Sequence, residues 1–360
     1  MPPETRSRSA SPTLLHLARA AGVSRTTASN AFNRPDQLST ELRERILTIA
    51  REIGYAGPNP MGRMLRTGRA GAIGVVFADP LSYAVTDPAA VAFLQGVAAV
   101  CELEEAGLLL LSAVDEAAAR RTVHQAAVDG FVIHCLATEM EVVNSVLERG
   151  LPVVAVDLPG FADAPLLEID DRAGARRATE HLVRLGHRHL GLISMETRPD
   201  RYVGPLDQTR RDGAVYAVTL ERLAGYEEGL ASGGLDPAGL RIEERFGSTR
   251  PAGADAAARL LAGTPRPTAL LAMSDMLAIG ALEQARALGL RVPEDLSVVG
   301  FDDIPLAREL SPPLTTVRQP LVDKGRIAAE LLFGRRAATG PIVLPTELVV
   351  RATTAPPRRA

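Results

Sequence analysis

Residues 25–33, RTTASNAFN, carry one guanidinium, three hydroxyls and two carboxamides on nine positions. Arginine donates hydrogen bonds through a planar fork, while hydroxyls and amides both donate and accept. Wound into a helix, the stretch turns Ala28 and Phe32 inward, with Val23 just before it, and Arg25, Thr26, Ser29 and Asn30 outward. Such a face can read base edges, because each base pair shows its own donor and acceptor pattern in the major groove of DNA. The plainer reading is a short helix whose hydroxyls cap and solvate it. One positive charge is little for a polyanion, so the surroundings must supply more. Residues 1–69 hold eleven Arg, no Lys and five acidic residues, a net of +6. The whole chain carries −3, which leaves −9 on the remainder. A basic head on an acidic body points to a polyanionic partner for the head alone.

The head divides into three short helices. Thr13 is placed to cap LLHLARAA, whose Leu14, Leu17 and Ala18 share one side, and Gly22 ends it. Ser24 caps the second helix. Ser39 precedes the third, TELRERILTIAREIGY, with Leu42, Ile46, Ile49 and Ile53 at helical spacing. Three helices with a tight turn between the first two make a helix-turn-helix headpiece over residues 13–57. Residues 1–12 are polar and read as a disordered arm. Residues 58–69 are a basic linker, opened by Pro58 and closed by Gly68, and marginal as a helix on their own.

From residue 70 the texture changes. Apolar runs such as GAIGVVF, GLLLLSA, GFVIHC and LPVVAVD alternate with helical patterns, and the cycle resumes through HLGLI, TALLAM and LSVVGFDD. Continuous apolar strands separated by helices predict an α/β fold of doubly wound parallel sheets covered on both faces. The interruption near 157–170 divides them into two lobes: about 70–168 with 319–345, and about 169–318 with a C-terminal strand, followed by a tail at 355–360. A ligand belongs at the carboxyl ends of such strands.

Composition narrows the class. The chain is 46% hydrophobic and 23% charged, has no run of 18 apolar residues and no evident signal peptide, and so reads as a cytoplasmic protein with no membrane partner. Cys101 and Cys135 form no CxxC, and both thiols are expected in cores. His187 and His189 are two apart on a turn into a strand, where side chains diverge, and no metal site or cofactor is expected there or with His181. No P-loop, GxSxG or HExxH is present, which leaves an enzyme little to work with beyond paired carboxylates. An exported binding protein would have no use for the basic head.

The sequence resembles the LacI/GalR-type transcriptional regulators over nearly its whole length, from Thr13 to about Thr354. The resemblance is carried by TLLHLARAAGVSRTTASNAFN, GYAGPNPMGRMLRTGR, HLVRLGHRHLGLI, MSDMLAIGALEQARALGLRVPEDLSVVGFDD and LTTVRQP, in that order. It implies a DNA-binding headpiece, a hinge helix and a core like that of periplasmic sugar-binding proteins. It also implies a homodimer on a near-palindromic operator, most simply a repressor, governed by a small effector. Matched by position, Arg25, Thr26 and Asn30 fall on base-reading sites, where arginine suits guanine and asparagine suits adenine. Thr13, Ser24, Thr27, Ser29 and Asn33 fall on backbone-contacting sites. Asn59, Gly62, Arg63 and Leu65 match the hinge pattern, with Leu65 as the wedge that opens a base step; the alternative is an ordinary linker. Asn30 stands where many relatives have Arg, and Ala28 where many have Val.

In the core, Asp157, Arg222, Ser274, Asp275 and Asp302 match the family's effector contacts. Carboxylates that accept hydroxyls and an arginine fork suit a carbohydrate. Ser274 replaces the Asn of several sugar-responsive relatives, which leaves a nucleoside or purine effector as the alternative. Asp275 either contacts the effector or caps its helix. Asp79 and Tyr83 follow the first strand, where the family lines its cleft. Phe246 either stacks on a ligand or belongs to the core. The long segment 195–218 either covers the cleft or is a surface insertion.

Overall fold

The structure, a computed structural model, describes residues 12–57, 64, 68–161 and 164–358. Residues 1–11 of the expected arm and most of the expected hinge lie outside the described residues, and so do Asn59, Gly62, Arg63 and Leu65. The chain divides into two compact units, 1–70 and 71–360.

The first unit is helical. Its elements are α1 (Leu14–Ala20), α2 (Arg25–Asn33), a 3-10 turn (Pro35–Gln37) and α3 (Thr40–Glu52). The chain turns between α1 and α2 at Gly22, whose φ of +66° is one that glycine adopts without strain. Ser24 and Ser39 cap α2 and α3 by accepting from the backbone N–H of Thr27 and Leu42. Leu17, Ala28, Ala31 and Ile46 are fully buried between the three helices. Phe32 meets Tyr55 edge to face, with centroids 5.7 Å apart.

The second unit holds two sheets. The first takes β1 (Ala72–Phe77), β2 (Gly107–Ser112), β3 (Phe131–His134), β4 (Val153–Val156) and β5 (Leu166–Ile169). Between these strands run α4 (Leu81–Ala84), α5 (Pro88–Leu103), α6 (Glu116–Gln125) and α7 (Glu141–Glu148). The chain then builds the second sheet from β6 (Leu190–Ser194), β7 (Gly204–Pro205), β8 (Arg241–Glu244), β9 (Ala269–Ala272), β10 (Ser297–Asp302) and β11 (Thr315–Arg318). Its helices are α8 (Asp171–Arg184), α9 (Gln208–Asp212), α10 (Ala217–Ser232), α11 (Arg250–Leu261), α12 (Asp275–Ala287) and α13 (Pro305–Glu309). It returns through α14 (Leu321–Leu332) to add β12 (Ile342–Leu344) to the first sheet, and crosses again to add β13 (Glu347–Val349) to the second.

The first sheet runs β12-β5-β4-β3-β1-β2 and is parallel throughout. The second runs β13-β11-β10-β9-β6-β8-β7, with five parallel strands between antiparallel edges. Those edges depart from the expectation of purely parallel sheets. Each is a strand of two or three residues laid on by a segment that arrives from elsewhere, and an edge position does not need a crossover helix. Both sheets share the doubly wound order, with order reversal between β1 and β3 and between β6 and β9, and each is packed on both faces. Among the described residues no helix is long and apolar enough to cross a membrane.

Helices on these sheets approach until backbones touch. Where α8 crosses α10, a Cβ on Gly225 would overlap the Arg172 carbonyl. Where α5 crosses α14, Gly96 and Gly325 face the partner helix's backbone in the same way. Gly225→Ala is therefore expected to destabilise the core by about 1–3 kcal/mol, an overpacking cost. Urea unfolding followed by circular dichroism checks this, and an unchanged midpoint would contradict it.

Candidate functional site

In the headpiece, α2 presents one polar face. The Arg25 and Thr26 side chains are exposed, and among the described residues neither makes a hydrogen bond or ion pair. Ser24 Oγ and Thr27 Oγ1 lie 2.8 Å apart, and Asn33 Nδ2 donates to the Ser29 carbonyl and to its Oγ at 3.1 Å. These hydroxyls therefore cap and brace the helix while facing outward. Asn30 Nδ2 donates to Gln37 Oε1 at 3.0 Å. Gln37 is a partner that no sequence pattern signals, and it fixes the orientation of the Asn30 amide. Thr13 opens α1, and its N–H donates to His16 Nδ1 at 3.2 Å.

In the core, the carboxyl ends of the strands of both sheets surround one cavity of about 1090 Å³, counting its open mouth. Asp79 follows β1, Cys135 follows β3 and Asp157 follows β4; Glu196 follows β6, Ser274 follows β9 and Asp302 ends β10. Tyr83, from α4, donates its hydroxyl to the Ser248 carbonyl at 3.1 Å, joining one wall to the other. Cys135, Asp157 and Asp302 have φ of +55°, +54° and +121°. Left-handed non-glycine residues are costly, by about 1–3 kcal/mol each, and collect where function requires them.

Two buried ion pairs hold the cations. Arg222 Nε donates to Asp171 Oδ1 at 2.7 Å, another of its nitrogens donates to the Met273 carbonyl, and its Cζ lies 3.6 Å from the centre of the Phe301 ring. The Lys324 ammonium pairs with Asp157 Oδ2, which also accepts from Cys135 Sγ at 3.3 Å. Burial alone would raise the Asp157 carboxyl, but Lys324, His134 and Cys135 together hold the group below its ordinary value. His134, against Phe77 and Phe93, is lowered to about 4 by burial and then by Lys324. His134, Cys135 and Asp157 bring potential metal-ligand atoms together, but Lys324 already neutralises the carboxylate.

Among the described residues, the other carboxyls of the cavity are in no ion pair. Burial and then Asp87 raise Asp79 to about 6; burial and then Asp79 raise Glu196 to about 8. Asp302 is raised to about 7 by burial, although Arg222 opposes this, and its Oδ1 accepts from Gln319 Nε2 at 2.6 Å.

Asp79, Tyr83, Asp157, Arg222, Ser274 and Asp302 thus share one cavity; two other sequence candidates do not. Asp275 points back into the core, where it accepts from the Ile304 N–H at 2.9 Å and from Thr316 Oγ1. It is not the helix cap either, since Ser274 Oγ accepts from Leu277. Phe246 precedes the cavity residues Gly247 and Ser248, and its ring faces Arg201 at 5.3 Å. Cys135 also departs from expectation: it lines the cavity because it sits one residue past its strand. Segment 195–218 plays two parts. Met195, Glu196, Tyr216, Ala217 and Val218 line the cavity, while β7 extends the sheet edge. His187 is a satisfied core histidine, bonded to Thr268, Ser297 and Ala355, and His189 is exposed.

Glu196 is uncharged below both its unfolded value of 4.5 and its folded value of about 8, and its ionisation opposes folding increasingly between them. Glu196→Gln is expected to raise Tm at pH 9 and leave it unchanged at pH 4. Equal effects at both pH values in a melting series would contradict this.

Comparison with known proteins agrees with both units. Residues 13–59 match the model of the bacterial regulatory proteins of the lacI family, and residues 179–354 match a periplasmic binding protein-like domain. The HTH-type transcriptional regulator Rv3575c of Mycobacterium tuberculosis is 44% identical, over 96% of this chain and 97% of its own. A structure of the transcriptional regulator CelR in complex with cellobiose superposes with a TM-score of 0.66 at 29% identity, covering 95% of this chain and 99% of that one. The lac repressor dimer bound to operator and an anti-inducer gives 0.74 at 26%, covering 96% and 99%. The relatives are transcriptional regulators, not enzymes. The chain belongs to the LacI family and is a DNA-binding transcriptional regulator with a helix-turn-helix headpiece and a periplasmic-binding-protein-like core.

Proposed function

We propose that this regulator is a homodimeric repressor, acting on cytoplasmic DNA at a near-palindromic operator and controlled by a carbohydrate bound between its two sheets. The cavity carries the effector reading: strand ends from both sheets place buried polar groups on one space, several on left-handed backbone. CelR with bound cellobiose and the operator-bound lac repressor dimer, both similar to this chain, support it.

On this reading Arg25, Thr26 and Asn30 select bases, and Thr13, Ser24, Thr27, Ser29 and Asn33 hold the DNA backbone. Asn59, Gly62, Arg63 and Leu65 form the hinge. Asp79, Tyr83, Asp157, Arg222, Ser274 and Asp302 contact the effector. A ligand that bridges both walls favours one relative arrangement of the two sheets, and any arrangement that alters hinge pairing in the dimer alters DNA affinity.

Selection from a random double-stranded DNA pool tests the first half. The full chain is expected to enrich a near-palindrome with salt-dependent affinity, and Arg25→Ala to weaken it by about 1–3 kcal/mol. A fragment starting at residue 71 that enriches the same sequence would contradict this.

For the second half, Asp302→Asn is expected to bind the selected DNA as the parent does and to lose its response to the effector. A normal response in that variant would count against the cavity as effector site.

A further inference from the structure

The second sheet carries another concave space, at the ends of its strands opposite to the cavity. Ahead of β6, β8 and β9 lies an open groove of about 690 Å³, counting its mouth. Leu190, Leu230 and Leu240, all buried, line it on the core side. Its rim is polar: Arg188 and His189 stand just before β6, Arg241 opens β8, and Thr264 lies in the turn ahead of β9.

Arg241 is held in place by neutral groups. Its Nη2 donates to the Pro265 carbonyl at 2.5 Å, and its Nη1 occupies space that a Cβ on Gly263 would overlap. A guanidinium has five N–H donors and keeps its charge at any ordinary pH. Among the described residues no carboxylate pairs with Arg241, so its position is fixed and its charge is left over. The Arg188 side chain is exposed and, among the described residues, makes no hydrogen bond or ion pair. The same holds for the Thr264 hydroxyl and the His189 ring.

One acid lines the groove, Asp236, and its Oδ1 accepts from the Ala238 N–H at 3.0 Å to cap the short 3-10 turn Pro237–Gly239. Two guanidiniums thus face one carboxylate on a body of negative net charge. At physiological salt, charges further off than about 8 Å are largely screened, so an anion in the groove feels the local excess. The donors come from three separate strand openings and include a hydroxyl. A carboxylate has two oxygens in one plane, which a single guanidinium fork can serve. A phosphate group has at least three terminal oxygens at different angles, which two forks and a hydroxyl can share.

We propose that this groove binds a phosphate group, free or carried on a small ester, between Arg188 and Arg241, at a site separate from the effector cavity. Arg241 presents its guanidinium already in position, and the exposed Arg188 turns onto the ion. β6 and β8 are neighbours in the sheet, so the bound group ties their openings together.

The test is phosphorus NMR on the full chain near neutral pH, at constant physiological salt, with inorganic phosphate and glycerol phosphate as separate probes. Added protein is expected to broaden the line of at least one probe. Broadening of inorganic phosphate supports a site for the free anion, and broadening of glycerol phosphate alone supports a site for the ester. Arg188→Gln and Arg241→Gln are each expected to weaken the binding about tenfold, the loss of one charge-assisted contact. The Arg188 variant removes an exposed, unbonded side chain and so tests the site without disturbing the fold. Broadening that either variant leaves unchanged places the anion elsewhere, on the basic headpiece or in the effector cavity, and overturns the proposal. Lines of both probes that stay sharp overturn it as well.

Discussion

A positive charge buried at the floor of the cavity, the guanidinium of Arg222, constrains what surrounds it. A charge taken out of water is costly by several kcal/mol unless partners replace the solvent. Asp171 does so from the start of α8, the Met273 carbonyl from the end of β9, and the Phe301 ring from β10. Arg222 itself rides on α10, which crosses α8 so closely that Gly225 has room for no side chain. Four elements must therefore be in register before the charge is satisfied. Asp302, on the strand that carries Phe301, faces the same guanidinium and is raised by burial even so.

The sheets supply the rest of the cavity by geometry. In a doubly wound parallel sheet every strand delivers its carboxyl end to one edge, and here two such edges meet. At those ends the strands stop and the chain turns: Cys135 and Asp157, just past their strands, and Asp302, the last residue of β10, all have left-handed backbone. Lys324, reached by the return crossing into α14, then closes on Asp157. The two buried ion pairs sit among further carboxyls, Asp79, Glu196 and Asp302, that burial raises.

Much of this is legible in the sequence where the signal is local. Ser24 reads as a cap and is one, because a cap needs only the next three residues, and Ser39, read as preceding the third helix, caps it in the same way. The alternation of strands and helices reads well because strands buried on both faces are continuous apolar runs. Signals that depend on distant partners are silent. Lys324 lies 167 residues from Asp157 and looks like one charge on an amphipathic helix. Asn30 and Gln37 meet only because the 3-10 turn bends back on α2. Cys135 reads as a core thiol because its run is apolar, yet a step of one residue past the strand moves it to the cavity. Ser274 and Asp275 are neighbours that face opposite ways, one lining the cavity and one tying β11 and the Ile304 amide to the helix start.

Headpiece and cavity belong to separate units of one chain, so their connection is a coupling free energy between two binding events. Such a coupling is reciprocal: if effector changes the affinity for operator by some factor, operator changes the affinity for effector by the same factor. The most direct measurement is a pair of titrations on the full chain, operator binding with and without saturating effector, and effector binding with and without saturating operator. The two ratios should be equal and differ from one. Effector that binds free and operator-bound protein with the same affinity would contradict control of the headpiece by the cavity.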